Sequence, residues 1–173
     1  MAKAKKKKVG MTVLAWIMLA VMAVGLILSI VGFCTDWIKS GGEILGIGDD
    51  EFESFTLQDL QDYKLFTEEA ENYFGAAYAF ALITLIAVAA AFGCFLVGGL
   101  LKMKLLKTIG MIGGILAVVA GIMAAVFTAL MGKEMSVDAG IASTTKTLAY
   151  GCYLLLVGGI VGGAGAVVSG VSK

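Results

Sequence analysis

The densest group of chemically capable side chains in this 173-residue chain is Asp49, Asp50, Glu51 and Glu53, four carboxylates within five residues directly after Gly48. Clustered carboxylates collect hard cations such as calcium, but the alternating ligand spacing and closing glutamate of an EF-hand loop are absent, so a solvated acidic loop is expected. Paired carboxylates also serve glycoside hydrolysis, yet so short a segment supplies no aromatic-lined cleft for a sugar. There is no histidine and no arginine. That removes the commonest general base and metal ligand, and the usual bidentate clamp for phosphate or carboxylate. No reaction, cofactor or metal is indicated, and the expected role is non-enzymatic.

The three cysteines, Cys34, Cys94 and Cys152, lack any C-x-x-C spacing, which speaks against a zinc site or a framework of several bridges. Cys34 and Cys152 fall at similar depth near the same membrane face, so a disulfide between them is allowed. Two small apolar packing residues are the plainer expectation.

What must position these residues is membrane. Of the residues, 60% are hydrophobic and none is proline, and the mean hydropathy is +0.96; that leaves too little polar surface for a soluble fold. Apolar runs of about 20 residues are the spanning unit. Four such runs give an all-α integral membrane four-helix bundle in a single domain. Its parts are a basic tail (1–9), a first span (10–33), an acidic outer loop (34–72), a second span (73–101), an inner link (102–107), a third span (108–131), a smaller outer loop (132–145) and a fourth span (146–171). The first run is well beyond the roughly 7 to 15 apolar residues of a signal peptide, so it is read as a retained span.

Charge is sorted sharply along the chain. Eleven of the thirteen acids lie between residues 35 and 72, and the other two, Glu134 and Asp138, in the second outer loop. Nine of the thirteen lysines fall in the tail, the inner link and Lys173. By the positive-inside rule both termini are cytoplasmic, in a plasma-membrane protein with its N-terminus inside; Tyr73, Tyr78, Tyr150 and Tyr153 gather at the outer interface. The tail lysines would also attract anionic lipid headgroups. With no aromatics between them they do not suit nucleic acid.

Within the acidic loop, Gly41-Gly42 and Gly46-Ile47-Gly48 predict loop. Thr56 followed by Asp59 resembles a capping box and predicts a short helix, and Thr67 ahead of Glu68, Glu69 and Glu71 predicts a second helix running into the membrane. The acids Asp49, Asp50, Glu51, Glu53, Asp59 and Asp62 are the expected partner-binding set.

Helix association in lipid depends on small residues. The third span offers Gly110, Gly114, Ala117, Gly121, Ala124 and Thr128, spaced 4, 3, 4, 3 and 4 apart, as in a left-handed seam. The fourth offers Gly158, Gly162, Ala166 and Gly170, each four apart, which favours a right-handed crossing, with Gly159 and Gly163 beside them. Packing inside one chain is the plainer expectation for these glycines; the sharper one is two small faces on the fourth span, one for the chain's own bundle and one for a neighbouring subunit or a copy of itself. Apart from Lys146 at the very start of the fourth, the spans hold no Asp, Glu or Lys, and their few hydroxyls lie at different depths, which disfavours a transporter. A pore would need several subunits.

Asp36-Trp37-Ile38, just past the first span, looks like the tryptophan that opens the first loop of the claudin and peripheral-myelin-protein superfamily, and the four-span layout resembles that family throughout. The family's Gly-Leu-Trp followed by two loop cysteines is absent. The resemblance implies a β-sheet in the first loop, whereas this loop reads as helical. Functional expectations are a scaffold or accessory subunit binding a partner through the acidic loop, an oligomeric channel or pore subunit, or a claudin-like cell-contact protein.

Overall fold

The computed structural model describes residues 13–44, 47–48, 53–62, 68–101, 103–138 and 142–171. Four helices, α1 (Val13–Cys34), α3 (Glu68–Leu101), α4 (Lys104–Glu134) and α5 (Tyr150–Val171), are long and apolar enough to cross a membrane. At 1.5 Å per residue, α1 and α5 measure about 33 Å, against about 51 Å for α3 and about 46 Å for α4. A bilayer's hydrocarbon is about 30 Å thick. The long pair therefore overshoots the short one, and its excess builds a platform at one end of the bundle.

On that end sits a small cap. Its strands are β1 (Asp36–Ile44), β2 (Ile47–Gly48), β3 (Glu53–Thr56), β4 (Val137–Asp138) and β5 (Ala142–Leu148), and the short helix α2 (Leu57–Asp62) follows β3 directly. Central β1 pairs antiparallel with β5 on one edge and with β2 and β3 on the other, and β4 adds to the far side of β5. Helices carry the architecture as the apolar runs predict, and α2 is the expected short helix. The strands correct the rest of the loop. Gly41 and Gly42 lie within β1, and residues 146–148, placed in the fourth span by hydropathy, belong to β5, so α5 begins at Tyr150.

The strands escape detection for a physical reason. A half-buried strand should alternate, but the β1–β3 register shifts between Asp36 and Ile38. Such a shift re-aims side chains. As a result the neighbours Trp37 and Ile38 are both buried.

At the opposite end the turn between α3 and α4 is tighter than the six-residue link expected, since only residues 102 and 103 lie between the helices. Met103 N–H closes it by donating to Gly98 O at 3.1 Å. Lys104 thus begins α4, with Lys107 in its first turn, where the helix dipole disfavours cations. These lysines serve something other than helix stability.

Small residues set the packing. All six members of the expected α4 seam, Gly110 to Thr128, are buried. On α5 the four-apart row is not one seam. Each step of four residues turns about 40° past a full circle, so Gly158 and Gly170 differ by about 120° around the helix. Gly158 and Gly162 meet Gly25 and Ser29 of α1, whereas Gly163, Ala166 and Gly170 meet Gly114 and Met111 of α4. The glycine surplus is spent inside the chain. The lipid face of α5 instead presents Tyr153, Val157, Ile160 and Val168, so the second small-residue face expected for another subunit is not left open.

Candidate interaction surface

Trp37 holds the cap to the bundle. It is fully buried among Leu57 of α2, Ala81 of α3, Ala124 of α4, and Cys152 and Leu155 of α5. Its Nε1 donates to Gly32 O at 2.8 Å, satisfying a carbonyl in the last turn of α1 that has no helical partner. A second cluster, Ile38, Leu60, Ala70, Met131 and Met135, seats the sheet and α2 on the overshooting ends of α3 and α4. Ser136 closes the outer edge of β5: its hydroxyl donates to Gly132 O at 2.8 Å and accepts from Lys146 N–H at 3.0 Å.

The sheet has two chemically different faces. Opposed residues share a face in an antiparallel ladder. The rung Phe55–Ile38–Leu148 therefore looks toward the helix ends, as does Glu53–Ser40–Lys146 one step further out. Lys146 Nζ lies 5.4 Å from the Phe55 ring centre. Partial burial pushes its pKa down, and the nearby Glu53 carboxylate opposes that shift. The rung Ser54–Lys39–Thr147 belongs to the other face. Strand pairing alone exposes this distribution of lysines, and only the threonine-rich run Thr144 to Thr147 hinted at it in the sequence.

The six expected partner-binding acids are not equivalent. Glu53 and Asp59 are exposed. Asp62 ends α2, its side chain falling outside the description, and Asp49, Asp50 and Glu51 lie outside the described residues altogether. Asp59 is already employed: its carboxylate accepts from the Thr56 hydroxyl at 2.7 Å and the Thr56 N–H at 3.0 Å, while Asp59 N–H donates to the Thr56 hydroxyl at 3.2 Å. This is the expected capping box at the start of α2. Those bonds from Thr56 hold the Asp59 carboxyl below its ordinary value of 3.8. A depressed carboxyl contributes stability that is present above the unfolded-state value and lost as pH falls through the folded-state one. Asp59→Asn should therefore lower the melting temperature at neutral pH, with the difference between wild type and variant shrinking as the pH falls below about 4. Melting curves of both proteins at pH 7 and pH 3 check this.

Both candidate disulfide partners are free thiols, Cys34 exposed and Cys152 buried. The face of α1 that packs inward carries Met22, Gly25, Ser29 and Gly32. Cys34 lies about 200° around the helix from Gly32 and so turns away from α5. A maleimide should label Cys34 in the folded, detergent-solubilised protein and reach Cys152 only after unfolding. In a Cys94→Ser background, which removes the third, half-buried thiol, intact-mass measurement before and after denaturation reads the two events separately.

Inside the bundle, chemistry is muted. The buried hydroxyls Ser29, Thr84 and Thr128 each donate to the carbonyl four residues back on their own helix, Gly25, Phe80 and Ala124, at 2.7 to 2.9 Å. Among the described residues no buried side-chain nitrogen or oxygen lacks a partner, and no three acidic or thiol groups gather as a metal site requires. The most elaborated polar surface is the cap. No known protein-family model matches the chain, and no curated protein is detectably similar to it in sequence.

Proposed function

We propose that this multi-pass membrane protein is a non-enzymatic tetraspan scaffold or accessory subunit, which holds its acidic cap outside the cytoplasmic membrane for a protein partner. One observation carries the reading: among the described residues no buried side-chain nitrogen or oxygen lacks a partner, and Ser29, Thr84 and Thr128 find theirs on their own helix. A solute path needs polar groups free to replace hydration, and among the described residues the bundle buries no unpartnered side-chain nitrogen or oxygen. The cap, by contrast, is anchored by a buried tryptophan and two apolar clusters, the kind of rigid support that recognition calls for. The dipole-disfavoured lysines at the start of α4 favour placing that turn, and both termini with it, on the cytoplasmic side.

The test has two arms. Single cysteines placed at positions 49 to 53 of a cysteine-free background are expected to react with an impermeant maleimide in intact cells. Liposomes containing the purified protein are expected to retain their ions and small solutes. Labelling only after lysis defeats the orientation, and robust leakage defeats the scaffold in favour of an oligomeric pore.

A second reading, a claudin-like cell-contact protein, gains from the sheet. The resemblance implies strands in the first loop, and β1 to β3 lie there. The paired loop cysteines remain a departure, since no cysteine occurs between Cys34 and Cys94. Aggregation of cells that express the protein, against cells that do not, would favour this contact role over a scaffold within one membrane.

A further inference from the structure

The polar face of the sheet has a feature that partner binding through acids does not use. Ser54, Lys39 and Thr147 form one rung across β3, β1 and β5. Neighbouring strands lie about 4.8 Å apart, so a hydroxyl flanks the ammonium-bearing side chain on each side. Ser54 and Thr147 are exposed. Lys39 Nζ reaches across to lie 5.1 Å from the centre of the Tyr150 ring. Tyr150 is the first residue of α5, is 54% exposed, and has the equally exposed Tyr153 beside it one turn deeper.

These residues mark a level. Exposed tyrosines at the end of a spanning helix sit among lipid headgroups, so the lysine lying over Tyr150 is held where the headgroup phosphates are. Among the described residues no carboxylate forms an ion pair with Lys39, and Glu53, next to Ser54 in sequence, belongs to the opposite face with Lys146. A cation that forms no ion pair with the described carboxylates, flanked by hydroxyls and fixed at headgroup height, complements an anion that arrives from the bilayer.

The geometry points to the Ser54–Lys39–Thr147 rung, with Tyr150 beneath it, as a docking point for the phosphate of an anionic phospholipid in the leaflet on the cap side. The lipid tails then run down the exposed face of α5 past Tyr153 and Val157. The ammonium meets the phosphate charge, the hydroxyls donate to its oxygens, and the Tyr150 ring restrains the lysine stem.

Native mass spectrometry of the full chain, titrated in detergent with phosphatidylglycerol or phosphatidylcholine, tests this. Wild type is expected to bind phosphatidylglycerol in preference to phosphatidylcholine. Lys39→Gln should weaken phosphatidylglycerol binding about fivefold, which corresponds to about 1 kcal/mol for one lysine near an anionic surface. Lys39→Arg should restore it, and Thr147→Val should weaken it less. Lys104→Gln, at the opposite end of the bundle, reports binding elsewhere. Equal binding of both lipids by wild type overturns the proposal. So does a Lys39→Gln protein that binds phosphatidylglycerol like wild type, the result expected if the rung instead meets carboxylates of a protein partner. A Lys39→Gln protein that has lost its native melting transition is replaced in the comparison by Tyr150→Leu, which removes the ring and is likewise expected to weaken phosphatidylglycerol binding; wild-type binding by that variant also overturns the proposal.

Discussion

Leucine in place of Gly158 or Gly25 is expected to abolish the folded bundle, the largest effect of any single substitution among the spans. A Cβ on Gly158 would stand 2.5 Å from Ser29 Oγ and 2.6 Å from Ser29 N, and one on Gly25 would stand 2.6 Å from Gly162 Cα. Ser29 N and Gly162 Cα are backbone obstacles that no rotamer change can move, so the helices must separate. Overpacking costs about 1 to 3 kcal/mol where side chains can adjust, and where only backbone faces the new atoms the cost lies at or above that upper end. Separating α1 from α5 also opens the site of the Ser29 hydroxyl, whose bond to Gly25 O is buried there. The control is Gly75 of α3, where an added Cβ meets nothing within 4 Å. Gly75→Ala is expected to be neutral, or to stabilise by up to about 1 kcal/mol through helix propensity. Size-exclusion profiles after stepwise heating separate the two outcomes: Gly158→Leu should lose its monodisperse peak at temperatures where Gly75→Ala keeps it. Equal behaviour of the two would mean that α1 and α5 do not pack as described.

Trp37→Ala ranks next, at about 3 to 5 kcal/mol for emptying a buried aromatic site. The tryptophan is shared by residues of α2, α3, α4 and α5, so its loss should release the cap before it loosens the spans. Hydrogen exchange is therefore expected to quicken first in β1 and β5, while the amides of α3 and α4 stay protected. Trp37→Phe isolates the indole N–H. It keeps most of the apolar volume but leaves Gly32 O without its 2.8 Å donor, and it should cost about 1 kcal/mol. A uniform rise in exchange across all four helices would show that the tryptophan supports the whole bundle.

The contrast between these sites and their sequence signals shows what was legible. The spans announce themselves because hydrocarbon demands long uncharged runs, and the α4 seam because its 4-3-4 spacing keeps one face constant. The Thr56–Asp59 capping box was visible because a cap is a local device with its own spacing. The sheet was hidden because its evidence is non-local. Gly41 and Gly42 look like breakers until β5 is brought beside them, and Trp37 with Ile38 violates alternation at the register shift. The four-apart row on α5 misled for a related reason: equal spacing in sequence is not constancy of face, and the row passes from α1 to α4. Among the acids, composition could not separate Asp59, committed to holding α2, from the equally exposed Glu53, which lies across the ladder near Lys146.

Only Thr35 stands between α1 and β1, and only Ala149 between β5 and α5. The two junctions are tied to each other, since Ala149 N–H donates to Trp37 O at 2.8 Å. The paired strands are thus a direct prolongation of the paired helices, without a hinge where a flexible stalk would normally be. A sideways load on the sheet cannot be absorbed by swivelling; it becomes torque on two shafts embedded in lipid, and the whole molecule tilts as one lever.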